Sequence, residues 1–249
     1  MKPLRILNTR PEEQAEALDQ VIYDAGAIPI LLPALVIKAN NNDWLTSILP
    51  LENAHHAIFT SSNAAKYCFK VLKEMNINWP ASIQVTAIGK ATAAQLRNDN
   101  ICVHQIPDIA DSEHLIALDT FQTIHDQTIL LIKGDNGRTL INETLIARGA
   151  DVKLVNVYRA EKPIIKEDDI NSLWKNDAID IIVFTSLQAM QNILSFFTGE
   201  SLIWFRSKPC IVISERLKQE ALLLGMQTVT VRQYDERKKG FTHDSEPRY

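Results

Sequence analysis

The chain lacks the residue patterns that mark several common classes of site. Its three cysteines, Cys68, Cys102 and Cys210, lie far apart and form no C-x-x-C pair, which argues against a zinc site and against a disulfide framework. The six histidines show no metal-ligand spacing such as H-x-x-x-H. No G-x-S-x-G elbow is present, so nucleophilic serine chemistry has little support. We expect no metal in this protein.

Charge and hydrophobicity exclude further classes. The net charge of −4 gives no basic footprint, so we expect no nucleic-acid partner, and the basic run Arg237-Lys238-Lys239 is interpreted as solvated tail. No apolar run approaches the length of a membrane span, and the chain enters a strand without a signal-peptide pattern. We therefore expect a cytoplasmic protein without a membrane partner. With 249 residues and 46% hydrophobic content, it can form two cores of about 120 residues each.

One stretch occurs twice in the sequence. Residues 59–64 read Phe-Thr-Ser-Ser-Asn-Ala, and residues 184–189 read Phe-Thr-Ser-Leu-Gln-Ala, 125 positions later. Each copy follows an apolar run and precedes a helix-like run, which indicates a buried strand whose hydroxyl residues cap the next helix. In each half a turn residue, Gly89 or Ser214, follows the threonine by 29 residues. The segments that lead to Gly26 and Gly149 keep a similar offset, so the sequence predicts two related α/β lobes.

The order of elements predicts how the lobes are arranged. Strands and helices alternate throughout, which is typical of parallel sheets covered on both faces. Extended segments with a proline or an asparagine run interrupt this alternation at two places. The sequence therefore predicts two interleaved, flavodoxin-like parallel-sheet α/β lobes, joined by a two-stranded crossing, with the binding cleft between them. The predicted parts are a first lobe of residues 1–35 and 166–232, a crossing linker of residues 36–42 and 158–165, and a second lobe of residues 43–157. Within the second lobe the predicted strands are 56–60, 83–88, 102–106, 128–132 and 152–157.

Several strand-to-helix turns carry groups suited to an anionic ligand. Free amides at a helix start favour carboxylate or phosphate, and the turn beginning at Lys133-Gly134 adds a positive charge. That turn matches neither a Walker A sequence nor a dinucleotide fingerprint. Alternatively, these hydroxyl residues are ordinary helix caps and bind nothing. Tyr158 stands at a predicted strand end, where a tyrosine either packs or directs its hydroxyl into the cleft.

The residues resemble the uroporphyrinogen-III synthase family over nearly the whole chain. The order and spacing of the matching pieces are more specific than any one of them. The resemblance rests on Thr9-Arg10-Pro11 with Gln14-Ala15, Phe59-Thr60-Ser61-Ser62-Asn63-Ala64, Ala87-Ile88-Gly89-Lys90-Ala91-Thr92-Ala93, Asp111-Ser112-Glu113, Arg148-Gly149-Ala150-Asp151-Val152, Val157-Tyr158-Arg159, Val183-Phe184-Thr185-Ser186 and Val212-Ile213-Ser214-Glu215-Arg216-Leu217.

The resemblance implies a lyase of tetrapyrrole (haem) biosynthesis that needs no cofactor. It implies cyclisation of hydroxymethylbilane to uroporphyrinogen III, with loss of water and inversion of ring D. Tyr158 matches the family's tyrosine, which is thought to assist departure of the hydroxyl, so we expect it to be catalytic. The substrate is a small-molecule tetrapyrrole with eight carboxylates, while the protein is itself acidic, so local donors must bind it. The expected substrate-binding residues are Thr9, Arg10, Thr60, Ser61, Ser62, Gly89, Lys133, Gly134, Thr185, Ser186 and Ser214.

Two positions depart from the family pattern. His114 stands where the family often has glycine, which opposes a close substrate approach at that turn. Residues 233–249 lack the apolar closing helix usual in the family, so we expect a disordered tail.

We expect a monomer. Two other functions are compatible with such a fold: a two-lobed protein that binds an anionic ligand without chemistry, and an inactive regulatory relative of the synthase.

Overall fold

The chain folds into two compact units, each with its own parallel sheet. The computed structural model describes residues 2–135 and 139–232, together with the backbone of residues 234–235 and 240–241. Unit 1 comprises residues 1–36 and 161–249, and unit 2 comprises residues 37–160. Within the described residues, no helix combines the length and apolar character needed to cross a membrane.

The elements alternate as expected for α/β units. The strands are β1 (Arg5–Asn8), β2 (Ile28–Leu31), β3 (Val36–Ala39), β4 (His56–Phe59), β5 (Gln84–Ala87), β6 (Thr128–Gly134), β7 (Asp151–Glu161), β8 (Ile181–Phe184), β9 (Cys210–Val212), β10 (Val229–Val231), β11 (Tyr234–Asp235) and β12 (Gly240–Phe241). The α-helices are α1 (Glu16–Asp24), α2 (Leu45–Ile48), α3 (Ser62–Glu74), α4 (Lys90–Asn98), α5 (Ser112–Ile116), α6 (Leu140–Ala147), α7 (Glu167–Lys175), α8 (Leu187–Leu194), α9 (Gly199–Ser207) and α10 (Glu215–Leu223).

Each unit contains a five-stranded sheet. In unit 1 the strand order is β10-β9-β8-β1-β2, and every neighbouring pair is parallel. The second sheet has the order β3-β7-β6-β4-β5, and its last four strands are parallel. These sheets confirm the predicted two-lobed parallel α/β fold.

The sheet order agrees with the repeat in the sequence. The run β9-β8-β1-β2 of unit 1 matches β5-β4-β6-β7 of unit 2, so the two copies of the repeated stretch follow equivalent strands, β8 and β4. The register agrees as well: Phe184 lies beside Val212, and Phe59 lies beside Ala87, each partner being 28 residues further along the chain. The units are therefore structural repeats, although their strands follow each other in a permuted order along the chain.

Strand β4 of unit 2 is buried on both faces, which explains its uninterrupted apolar sequence. Ala57, Ile58 and Phe59 have no exposed surface. Ala57 and Phe59 belong to a core cluster that includes residues of α3 and α4, whereas Ile58 belongs to a second cluster with Phe121. Alternate side chains thus enter opposite layers, as the two-residue period of a strand requires.

The predicted strand at residues 102–106 is wrong. This segment forms one isolated bridge with β5, between Thr86 and Gln105, and a few backbone hydrogen bonds, but no strand. The reason lies in the ring of His104, whose Nδ1 accepts the Val85 amide at 3.0 Å. A side chain therefore takes the place of the backbone carbonyl that a regular neighbouring strand would offer to this amide.

Two further segments complete the fold. Two helices, α8 and α9, lie between β8 and β9, because Thr198 and Ser201 form a capping box that begins a new helix at Gly199. In the expected disordered tail, β11 and β12 form a short antiparallel pair, with Tyr234 opposite Phe241 in its backbone register. The rest of that tail lies outside the described residues.

His56 is a buried titratable group inside unit 2. Its side chain is buried, its ring meets Phe121 edge-on, and its Nε2 lies 2.8 Å from Gln127 Oε1. The amide oxygen can only accept, so Nε2 carries the proton, while Nδ1 is buried without a partner. Desolvation lowers the pKa of His56, because protonation at Nδ1 would bury an unpaired charged donor.

This burial predicts a pH dependence of stability. The unfolded chain binds a proton at this histidine at higher pH than the folded protein does, so the free energy of unfolding should fall as the pH drops below about 6.5. For this group, the change of the unfolding free energy with pH should approach, and cannot exceed, about 1.4 kcal/mol per pH unit. His56→Gln should reduce the slope in urea unfolding between pH 7.5 and 5.5. His125→Gln, at an exposed position, should retain it, and an unchanged slope in His56→Gln would contradict the assignment.

Candidate functional site

The turn after β4 places three predicted residues at the carboxyl edge of the unit 2 sheet. Ser61 is the N-cap of α3, with its Oγ accepting the Ala64 amide at 3.0 Å. Ser62 is the first residue of the helix and is partly exposed. The hydroxyl of Thr60 donates to the Ile132 carbonyl at 3.2 Å, so this side chain connects β4 with β6 and does not cap the helix.

Tyr158 lies beside this turn. It belongs to β7, which continues to Glu161, so its backbone is paired where a linker was expected. Its hydroxyl is 3.1 Å from Ser61 Oγ, and its ring stacks on Tyr67 with centroids 5.9 Å apart. The side chain is only partly buried. A phenol is thus fixed at the strand edge next to a helix N-terminus, where it can donate a proton or a hydrogen bond.

The structure changes the interpretation of Lys133 and Gly134. Both belong to β6, not to the turn that follows it, and the register with β7 shifts between them. A Cβ at position 134 would lie 2.7 Å from the ring of Tyr158, so glycine is required here for the close approach of that ring. Gly134 therefore contributes to the site by making room for the tyrosine. Lys133 is partly buried on the preceding strand position.

Gly89 occupies the equivalent cap position after β5. It is the N-cap residue of α4 and is buried, with its absent Cβ directed at Ala110 Cβ only 2.8 Å away. No side chain competes for the first amides of this helix, which leaves them available to a bound anion. In the next turn Asp111 caps α5 by accepting the His114 amide, and the imidazole of His114 is exposed.

Unit 1 repeats the arrangement. Ser186 caps α8 by accepting the Ala189 amide at 3.1 Å, and Ser214 caps α10 by accepting the Leu217 amide at 3.3 Å. The predicted capping by serines of the repeated stretch is confirmed at Ser61 and Ser186. Thr185 differs from its counterpart Thr60, because within the described part of the chain its partly exposed hydroxyl has no hydrogen-bond partner.

Thr9 and Arg10 follow β1 in the same sheet. Thr9 is fully buried, and its hydroxyl donates to the Val183 carbonyl at 2.8 Å. It does not cap the helical turn that follows, because the hydroxyl joins β1 to β8. A side chain with no exposed surface has a structural role here. Arg10 is partly exposed, and its amide is bound by the side chain of Asn8.

Sequence reasoning missed Tyr67 and Asn40. Tyr67 projects from α3 onto the ring of Tyr158, and its own hydroxyl donates to the Ile37 carbonyl at 3.2 Å. Asn40, which was interpreted only as a break in the pattern, donates to Asp135 and to the Asn156 carbonyl. Neither residue had a signal in the sequence, because both act through contacts distant along the chain.

The donors of these turns are suited to anions, and the phenol is suited to a leaving oxygen. Among the described residues, no group of three or more histidine, cysteine, aspartate or glutamate side chains could hold a metal ion. The elements of unit 2 that gather Ser61, Gly134 and Tyr158 are β4, β6 and β7, whose carboxyl ends share one edge of the sheet. In unit 1, Arg10, Thr185, Ser186 and Ser214 follow the carboxyl ends of β1, β8 and β9 in the same way.

Comparison with known proteins identifies the family. The chain is 28% identical over 236 residues to the uroporphyrinogen-III synthase of Salmonella typhimurium, covering 92% of this chain and 94% of that protein. It is 29% identical over 197 residues to the synthase of Proteus mirabilis, covering 77% and 98%. The solved uroporphyrinogen III synthase of Thermus thermophilus has a similar fold, with a TM-score of 0.65 at 14% identity over 95% of this chain and 94% of that one. The profile of the uroporphyrinogen-III synthase (HemD) family matches residues 16–237. This chain therefore belongs to the uroporphyrinogen-III synthase family.

Proposed function

We propose that this protein cyclises hydroxymethylbilane to uroporphyrinogen III, with loss of water and inversion of ring D. Family membership supports a lyase of tetrapyrrole biosynthesis. The observation that carries the proposal is the placement of Tyr158, a partly exposed phenol fixed by Ser61 at the carboxyl edge of the unit 2 sheet. That position gives the phenol a ligand-accessible side while its ring is held in place.

Tyr158 acts at the first step. Its phenol donates a proton or hydrogen bond to the terminal hydroxyl of the substrate, the carbon–oxygen bond breaks, and water leaves. The pyrrole nitrogen supplies the electron pair, which gives an azafulvene cation. The substituted end of ring D attacks this cation and forms a spiro pyrrolenine. Reopening and reclosure then invert ring D, and the proton lost from that ring balances the one donated at the start.

Turns within each unit carry donors suited to substrate carboxylates. Helix N-termini carry partial positive charge and unpaired amides, and hydroxyls beside them add further donors. In unit 2 these donors come from Ser62 and from the start of α4 at Gly89. In unit 1 they come from Thr185 and from the helices capped by Ser186 and Ser214. Arg10 and Lys133 add formal positive charge. Because the chain as a whole is acidic, these local donors supply the specificity.

The proposal includes a cytoplasmic monomer that works without a cofactor. A single chain completes both five-stranded sheets, which supports a monomer. Cys68, Cys102 and Cys210 are free thiols, as is typical of proteins from a reducing compartment. The steps above use only proton transfer and substrate electrons, so the chemistry requires no redox group.

A coupled assay tests the reaction itself. Hydroxymethylbilane is generated in place, this protein is added, and the oxidised products are separated by isomer. We expect predominantly the type III isomer, because the linear substrate closes to the type I isomer when nothing directs it. Type I alone would contradict synthase activity. In that case, calorimetry with an unreactive carboxylated tetrapyrrole would distinguish an anion-binding protein, which binds it, from an inactive relative without a ligand.

Removal of the phenol hydroxyl tests the role of Tyr158. We expect Tyr158→Phe to lower kcat by about 100-fold or more, the usual contribution of a positioned proton donor. The ring would still stack on Tyr67, so the melting temperature should change little. Tyr23→Phe is the matched control, since Tyr23 is 70% exposed in unit 1 and should keep full turnover. Near-normal activity in Tyr158→Phe would overturn the assignment.

Thr185 tests carboxylate binding. Thr185→Val keeps the shape of the side chain and removes its hydroxyl. A hydrogen bond to a charged group contributes about 1.5–3 kcal/mol, so KM should rise by roughly 10- to 100-fold while kcat stays near the wild-type value. Thr123→Val, at an exposed position of unit 2, should leave both constants unchanged. An unaltered KM in Thr185→Val would show that this hydroxyl does not contact the substrate.

A further inference from the structure

The oxygen of Ser61 has two roles at once. It accepts the Ala64 amide as the N-cap of α3, and it lies 3.1 Å from the hydroxyl of Tyr158. A serine oxygen has one proton to donate and two lone pairs to accept with. The cap uses one lone pair of the serine oxygen. In the hydrogen bond with Tyr158, the serine therefore either donates its proton or accepts with its second lone pair.

When a ligand is present, the number of available protons decides which of the two hydroxyls donates to the other. If the phenol donates to Ser61, its only proton is used within the protein and none is available to a leaving oxygen. If Ser61 donates, its proton satisfies the phenol oxygen, and the phenol proton is directed away from the serine. Acceptance of the Ala64 amide also polarises the serine hydroxyl and strengthens its donation. The second arrangement is the one that supplies a proton to the substrate.

We propose that Ser61 is a positioning residue for Tyr158: it donates its hydroxyl to the phenol oxygen and so directs the phenol proton at the substrate. This inference rests on the proposed function, and it assigns Ser61 a role through Tyr158, not through a substrate carboxylate. After proton transfer, the same serine donor stabilises the negative charge left on the phenol oxygen. The cap bond to Ala64 fixes the serine, so the donor requires no rearrangement during the reaction.

The surroundings of the ring support this role. Tyr67 stacks on one side of Tyr158, and the missing side chain of Gly134 lets the ring lie against β6. The ring is thereby restrained, while its hydroxyl proton can still rotate. The contact with Ser61 is the one that sets the direction of that proton. The equivalent cap in unit 1, Ser186, likewise accepts an amide from its own helix.

The test compares Ser61→Ala with Ser61→Thr. Ser61→Ala should lower kcat on the order of tenfold, the effect of one lost hydrogen bond, with KM within about twofold of wild type. Ser61→Thr keeps the hydroxyl and should restore kcat. Thr198→Ala is the matched control, since it removes the cap of α9 in unit 1 and makes no contact with Tyr158. It should lower the melting temperature by a similar amount without lowering kcat.

Two further measurements separate positioning from other roles. In a Tyr158→Phe background, Ser61→Ala should cause no additional loss of kcat, because the hydroxyl through which it acts is absent. With ¹³C-labelled tyrosine, the Cζ resonance of Tyr158, assigned by its absence in Tyr158→Phe, should move in Ser61→Ala and stay in place in Thr198→Ala.

Distinct results would overturn the inference. A raised KM with unchanged kcat in Ser61→Ala would make Ser61 a substrate-binding residue. An equal loss of kcat in the Tyr158→Phe background would make it independent of the phenol. If the wild-type protein forms no type III isomer, the proposed function fails. In that case an unmoved Cζ resonance would refute the hydrogen-bonded pairing, and a moved one would support it.

Discussion

The backbone amide of the third residue of a helix has no acceptor within that helix. In both units, the turns between strands and helices supply this acceptor. Parallel strands send all their carboxyl ends to one edge of the sheet, where each turn starts a helix with unpaired amides. Ser61, Ser186 and Ser214 each satisfy one such amide, and Gly89 occupies the fourth equivalent turn without a side chain. The same edge therefore provides stable helix starts and, through the remaining amides, donors for an anion.

Both units contain this arrangement, and the proposed binding of an anionic substrate by an acidic protein rests on it. The repeated strand order shows that this edge is built in the same way in both units, with β4 and β8 as equivalent strands. The two copies have diverged in detail. Thr60 uses its hydroxyl to join β4 to β6, whereas the corresponding hydroxyl of Thr185 is unpaired within the described part of the chain. The divergence assigns a packing role to one threonine and leaves the other available to a ligand.

In the proposed function the chemistry lies in unit 2, where Tyr158 places a phenol at the carboxyl edge of the sheet. Tyr158 is restrained by a stacked ring, by a glycine that admits its own ring, and by a serine that also caps a helix. Each restraint has a separate structural cause. Ser61 caps α3, and Gly134 allows the ring of Tyr158 to lie close to β6. Together they hold the ring in place while its hydroxyl can donate a proton, which suits a proton donor.

The sequence by itself determined the fold class, the repeat, and the caps at Ser61 and Ser186, because local periodicity and capping depend on residues close in the chain. The family motifs pointed to Tyr158, and the placement of its hydroxyl beside Ser61 required the structure. Tertiary structure alone decided that Thr9 is buried and that Gly134 serves the ring of Tyr158. It also decided that His104 prevents a regular strand at residues 102–106. Each of these outcomes depends on a partner at least 19 residues away in the sequence, whose direction and distance are set only when the sheets have formed.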